Sequence, residues 1–472
     1  MKPLVTELEW MLPHEVFANF ADEPFSLLFD SATAGPACEP ELHGRWSFIA
    51  IDPFETLSLH VGGGEAPFDL LKRKLAALPA IEAQADLPPF CGGVAGFFGY
   101  GLGRTLETLP PEVSPYAVDD QHLPDMALGF YDVVLAFDMI AERAFAVSSG
   151  LPESAPARRA ERARMRMAGI CGRLETLAPV RHADPSAYHA IASNFTRDAY
   201  ESAVARVIEY IHAGDIFQAN LSQRFETELA EGDTPYALYL RLRKASPAPF
   251  ASFFNFAAGA VVSSSPERFL SCRNGIVETK PIKGTRPRGK TPEEDALLAS
   301  ELLASEKDRA ENVMIVDLLR NDISRVCDDR SVTVDRLCAL ESFANVHHLV
   351  STVRGRLRSG MTHADLLAAC FPGGSVTGAP KRRAMEIIEE LEPTARGPYC
   401  GAIGWLGADG CMDSAIAIRT ITVSGRRITF QAGGGIVADS DPAAEYEETL
   451  AKARNMRAAL EPQPVLLAGE PA

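Results

Sequence analysis

The 472 residues, 46% of them hydrophobic, suffice to bury a large core, and by length alone suggest two or three domains. A formal net charge of −17 argues against nucleic acid or an anionic membrane surface as a partner, so any anionic ligand must find locally segregated cations. Nine cysteines, without a Cys-x-x-Cys pair, fit neither a disulfide framework nor a structural zinc site. With no apolar signal core in Met1–Glu7 and no apolar run of membrane-spanning length, they point to a reducing cytoplasm.

In chain order, the first 150 residues read as short strands between turns: Pro24–Phe29, Gly44–Ala50 and Tyr131–Phe137 are apolar runs bounded by Gly, Pro or Asp, which predicts mainly antiparallel sheet. The glycine-rich run Gly92–Gly103 lacks both Gly-x-Gly-x-x-Gly and Gly-Lys-Ser/Thr, so close strand packing is expected there rather than a nucleotide. A charged helix is predicted over 155–178, and Ala183-Asp184-Pro185-Ser186 reads as a connection. The chain is therefore divided into 1–180, 181–460 and a tail 461–472. Apolar residues at Tyr200, Val204, Val207, Ile208 and Ile211 predict a helix from Asp198 to His212, followed by a strand over Ile216–Arg224.

Glu267 follows the apolar strand end Ala260–Val262 in Ser-Ser-Ser-Pro-Glu and on residue type alone reads as a surface turn glutamate. The window Thr279–Gly289, Thr-Lys-Pro-Ile-Lys-Gly-Thr-Arg-Pro-Arg-Gly, crowds cations between residues that stiffen or turn the backbone. Two readings are open: a solvated basic loop, or a constrained one in which like charge and burial leave the Lys283 amine neutral and nucleophilic. Thr291, Pro292 and Glu294 spell a capping box that opens a helix running to about Asn321, with one break expected. On it Asp308 and Glu311 share a face. A second helix from Asp441-Pro442 lines up Glu445, Glu448 and Lys452 by the same spacing. Each acid pair alone is an ordinary solvated helix face, but four carboxylates from two helices suit a hard divalent cation such as Mg²⁺.

On a strand, His347 and His348 point to opposite faces and cannot chelate one metal. Phe371–Lys381 lacks the Lys-Ser/Thr of a phosphate loop and reads as a turn feeding a helix near Pro380. Gln431–Val437 contains Gly433, Gly434 and Gly435, whose bare amides could meet an anion.

Taken as an ordered series, Pro-Ile-Lys-Gly-Thr-Arg-Pro-Arg-Gly through Glu-x-x-Glu-x-x-x-Lys resembles the chorismate-utilising enzymes over about residues 190–460, with weaker similarity before that. The version here is that of the branch aminating chorismate at ring carbon 4, since anthranilate synthase component I usually has alanine at the place of Lys283. The resemblance implies an α+β fold of two large stacked, mainly antiparallel sheets ringed by helices. It implies Lys283 as nucleophile at carbon 2 and Glu267 as general acid on the carbon-4 hydroxyl. Glu311 and Glu448 would be direct Mg²⁺ ligands, with Asp308 and Glu445 in their near shell. His348, Thr285 and Ser375 would meet the substrate, Tyr399 and Arg419 its enolpyruvyl carboxylate, and Gly433–Gly435 with Lys452 its ring carboxylate.

Gln218 stands where the isochorismate-forming and salicylate-forming branches place a water-activating lysine, which implies that it too meets the substrate, but a neutral amide cannot take a proton from water. The motifs through which anthranilate synthases hold tryptophan are altered here to Leu27-Leu28-Phe29-Asp30-Ser31 and Ser246-Pro247-Ala248-Pro249-Phe250. No Gly-x-Cys-x-Gly elbow occurs, so a separate glutamine amidotransferase (glutaminase) subunit is expected to supply ammonia.

Overall fold

The structure, a computed structural model, describes residues 2–33, 44–62, 64–82, 87–107, 118–177, 190–343 and 346–461. The division near residue 180 and the connection at Ala183–Ser186 lie outside the described residues, as does the tail beyond Glu461. Among the described residues no helix is long and apolar enough to cross a membrane, and every described cysteine is free.

Two antiparallel sheets dominate. The first has 12 strands. Its order is β1 (Leu4–Leu8), β8 (Arg143–Ser148), β7 (Val133–Asp138), β3 (Trp46–Ala50), β2 (Ser26–Asp30), β11 (Phe250–Asn255), β12 (Ala260–Ser265), β21 (Thr420–Ser424), β22 (Arg427–Ile436), β10 (Gln218–Glu228) and β18 (Gly378–Ala379), with β9 (Ala192–Ser193) also on β10. The second has 10: β15 (Ile282–Pro287), β17 (Val346–Arg356), β14 (Ile276–Thr279), β13 (Arg268–Arg273), β20 (Met412–Ile416), β19 (Ala402–Gly407), β5 (Gly93–Phe98), β6 (Met126–Tyr131) and β4 (Glu55–Leu59), with β16 (Thr333–Ser342) also on β17. Strands from before residue 150 form one end of each sheet and pair with later strands at β2–β11 and β5–β19.

Period-two alternation assembles the layers. Leu27, Phe48, Phe254 and Val261 point from the first sheet, and Phe97 and Trp405 from the second, into one core between the sheets. Their neighbours Leu28, Ile49, Phe253 and Val262 turn outward onto helices with Tyr236, Tyr239 and Met456. Phe98, Leu128 and Leu406 do the same on the far side with Leu367 and Met385. Both faces of each sheet are thus covered, which is why strands such as β5, β6 and β7 are buried along their whole length. The glycine-rich run serves strand contact, as expected: a Cβ at Gly96 would lie 2.1 Å from the Ala127 carbonyl oxygen.

The helices that reach the site follow their caps. Thr196 caps Arg197–His212, Thr291 caps Pro292–Ala304, Ser305 both ends that helix and caps Glu306–Ser324, and Asp441 caps Pro442–Leu460. The capping box at Thr291 is only half made, because the Glu294 carboxylate accepts from the Lys290 N–H instead of reaching Thr291. The Thr279–Gly289 window is not a loop. Ile282–Pro287 is the strand β15, zipped to β17 from Ile282 opposite Val350 to Pro287 opposite Val346.

Candidate active site

Lys283 is held by a strand with a defect in it. The pairing of β15 with β17 slips between Lys283 and Thr285, and Gly284 absorbs the slip with φ +76°, a left-handed conformation that favours glycine. The cations that crowd the sequence part company in space. Arg286 pairs with Asp308 at 3.2 Å and Arg288 with Asp295 at 2.7 Å, while the Lys283 amine donates to Glu311 Oε1 at 2.7 Å. Lys283 thus has a carboxylate as its ion-pair partner, and the sequence neighbours Arg286 and Arg288 have carboxylate partners of their own.

A cavity of about 660 Å³ opens beside that amine, between β10 and β22 of the first sheet and β15 and β17 of the second. Glu267, Lys283, Thr285, His348, Ser375, Tyr399 and Arg419 line it. So do Gly433, Gly435, Lys452 and the four acids Asp308, Glu311, Glu445 and Glu448. Two residues expected in the wall are not in it. Gln218 lies behind Glu311, donating to its Oε1 at 3.0 Å, and Gly434 is backed by the helix acids, with Glu445 Oε2 2.8 Å from where its Cβ would be.

Glu267, just past the end of β12, is 7% exposed, and Ser375 Oγ donates to its Oε1 at 2.8 Å. Burial raises its pKa to about 7, and the Ser375 hydrogen bond and the charges of Lys283 and Lys452 hold it from going higher. It is not the surface turn glutamate that its residue type suggests. His348 shares a hydrogen bond of 2.9 Å between Nδ1 and Thr285 Oγ1, and burial lowers its pKa to about 4, leaving a neutral imidazole at pH 7. His347 points the other way, to Asp295. The Arg419 guanidinium has no hydrogen-bond or ion-pair partner among the described residues, and Tyr399 lines the same cavity; burial lowers the proton affinity of the first and raises the pKa of the second.

The four helix acids share the cavity, but among the described residues no three of them converge to metal-binding distance. Each is engaged: Glu311 by Lys283 and Gln218, Glu448 by Lys452 at 2.6 Å, Asp308 by Arg286, and Glu445 by Ser440 Oγ at 2.7 Å. Burial alone would raise Glu448, but Lys452 with Lys307 and Lys283 outweighs it and holds the group below the usual range, whereas burial keeps Glu445 above it. The donor set nonetheless fits a hard cation: all four are carboxylates, and bare glycine keeps the space beside them open. A Cβ at Gly435 would lie 2.8 Å from Glu311 Oε1, and one at Gly434 3.4 Å from Glu448 Oε1. Beyond Phe430, β22 pairs only with β10, so its other edge there carries no strand among the described residues. Lys452 donates to the Gly433 carbonyl at 2.8 Å.

Three features escape a reading by motif. Lys307 lines the cavity and acts through space on Glu445 and Glu448. Asn220 lines it from β10, with its side-chain nitrogen unpartnered. Behind the wall, the buried Arg396–Glu392 pair at 2.7 Å ties the Val376 and Asn220 carbonyls together under Tyr100 and Tyr399. Only the Glu-x-x-x-Arg spacing of that pair was visible in advance. The altered segments at Leu27–Ser31 and Ser246–Phe250 contribute Phe29, Asp30, Ser31, Pro249 and Phe250 to a separate cavity of about 390 Å³ beside the β2–β11 pairing.

Residues 36–458 match the family described as chorismate binding enzyme. The chain is 41% identical to aminodeoxychorismate synthase component 1 of Klebsiella aerogenes, over 98% of this chain and 100% of the relative. It is also 41% identical to anthranilate synthase component 1 of Thermus thermophilus, over 98% and 97%. The crystal structure of anthranilate synthase component I from Streptococcus pneumoniae superimposes with a TM-score of 0.77 at 36% identity, covering 87% of this chain and 92% of that one.

Proposed function

The chain belongs to the chorismate binding enzymes, and from that premise we propose that it converts chorismate and ammonia to 4-amino-4-deoxychorismate, the step toward p-aminobenzoate and folate. Overall identity does not separate this activity from anthranilate formation, since relatives of both kinds reach 41%. The observation that carries the choice is Lys283, an amine projecting from a bulged strand into the same cavity as a buried carboxyl whose pKa is near 7.

In this reading Lys283 parts from Glu311 and attacks ring carbon 2 while Glu267 gives its proton to the carbon-4 hydroxyl, which leaves as water as the ring double bonds shift. Ammonia then bonds to carbon 4, the double bonds shift back, the bond from carbon 2 to the lysine nitrogen breaks, and the Glu267 carboxylate takes up the proton ammonia loses. Two displacements replace one difficult substitution. Arg419 with Tyr399 holds the enolpyruvyl carboxylate, a planar anion suited to a guanidinium, and Lys452 with the free edge of Gly433–Gly435 meets the ring carboxylate. Neutral His348 and Thr285 face the ring, Ser375 keeps the Glu267 carboxyl oriented, and Gln218 acts from behind through Glu311. Glu311 and Glu448, with Asp308 and Glu445 beside them, would hold a Mg²⁺ ion, which when bound offsets the charge of the dianionic substrate among these acids. Ammonia comes from a separate glutaminase subunit, in keeping with the "component 1" in the relatives' names and the lack of a glutaminase cysteine motif here.

Incubation with chorismate, Mg²⁺ and an ammonium salt tests the assignment. The expected product is 4-amino-4-deoxychorismate, and fluorescent anthranilate as the main product would overturn it.

A further inference from the structure

Strand β10 presents Gln218, Asn220 and Ser222 on one face by simple alternation. Two of the three have protein partners there: Gln218 donates to Glu311 at 3.0 Å, and the Ser222 hydroxyl donates to Glu392 at 2.8 Å. Asn220 does not. It is 7% exposed and lines the cavity, and its carboxamide makes no hydrogen bond among the described residues; the nitrogen is fully buried and unpartnered. Across the ladder it faces Gly435, which has no side chain to cover it. The backbone of Asn220, by contrast, is fixed on both sides. Its N–H donates to the Thr377 carbonyl at 2.8 Å, and its carbonyl accepts from Arg396 at 2.6 Å.

A buried amide without a partner costs stability, and folded proteins rarely retain one without a use for it. Its place suggests the use. Thr377, whose carbonyl accepts from the Asn220 N–H, lies two residues beyond Ser375, which holds Glu267, and Asn220 and Glu267 line the same cavity. The substrate's carboxylates are already matched by Arg419 and Lys452, which leaves its ring hydroxyl with Glu267 alone. We propose that Asn220 hydrogen-bonds the carbon-4 hydroxyl of the substrate, the group Glu267 protonates, and so sets its orientation for departure. This rests on the chorismate-aminating reading. A neutral amide suits the role: a half-turn of the amide brings its N–H toward the hydroxyl oxygen, where it stabilises growing negative charge without adding a competing acid or base.

The test measures equilibrium binding in a Lys283→Ala background without ammonia, so that neither nucleophile is present, with chorismate and with an analogue lacking the carbon-4 hydroxyl. Asn220→Leu, similar in volume but apolar, is expected to weaken chorismate binding roughly three- to tenfold, the loss of one hydrogen bond, and to leave binding of the analogue unchanged. The free Asn220→Leu protein is expected to unfold at a temperature no lower than its parent, since no protein partner is lost. Asn220→Ala gives the same two-ligand contrast should the leucine variant fail to fold. Unchanged chorismate binding, or equal weakening for both ligands, overturns the assignment of Asn220 alone. Failure of the Lys283→Ala parent to bind chorismate overturns the functional reading, and with it this one.

Discussion

Glu267 and Lys283 face one cavity with opposite tasks: the carboxyl must hold a proton until the hydroxyl leaves, and the amine must be free of one to attack. For Glu267 the physical cause is plain, since burial raises its pKa from 4.5 to about 7 against the pull of Ser375, Lys283 and Lys452. Two consequences follow with definite sign. The first displacement slows as pH rises through about 7, and Glu267→Gln slows it by about 10²- to 10⁴-fold. The native state also binds this proton more tightly than the unfolded chain, so wild-type stability falls between about pH 4.5 and 7. Glu267→Gln, which lacks that proton, should gain in unfolding temperature relative to wild type between pH 5 and pH 8, as thermal melts at the two pH values would record. The Ser-Pro-Glu motif located this residue in the sequence, but not its burial. The directions of Arg286 and Arg288 were likewise invisible, because a run of cations in sequence does not reveal which carboxylates a fold will set beside each one.

At the scale of elements, the starts at Thr291 and Asp441 were legible because they are local chemistry, and the helices begin where those residues predict, while the one break expected in the first falls at Ser305. The strand character of Ile282–Pro287 was not, because it comes from pairing with β17, far away in sequence, which overrides the turn signals of Pro and Gly. Gly284 joins the two kinds of information. An added Cβ would keep the left-handed φ under strain and lie 2.9 Å from Leu302 Cδ1 and 3.0 Å from Asp308 Cβ, pressing on the helix Pro292–Ala304 and on the helix Glu306–Ser324 that carries Asp308 and Glu311. Gly284→Ala should therefore cost about 1–3 kcal/mol of stability and, by moving Lys283, about a hundredfold or more in turnover. Melting curves and steady-state rates would check both, and full activity in a stable variant would mean that the bulge does not position the amine.

Across the whole molecule, the short apolar runs predicted mainly antiparallel sheet and the family resemblance implied two large stacked sheets, and the structure has both. What the sequence left unsaid is how the cavity is shared. Lys283 and His348 come from one sheet, Asn220 and the Gly433–Gly435 segment from the other, and the acids from helices against both, so only tertiary assembly brings nucleophile, acid and anion-binding edge together. Lone residues such as Asn220 escape motif reading for that reason: their meaning lies in what stands opposite. A covalent bond from Lys283 to the substrate ring can form only if that assembly is the working site. Quenching the protein with chorismate and Mg²⁺ in the absence of ammonia, followed by peptide mass analysis, should show a substrate-derived mass increase on Lys283. An unmodified Lys283 under conditions where ammonia supports turnover, or an adduct on another residue, would contradict the account.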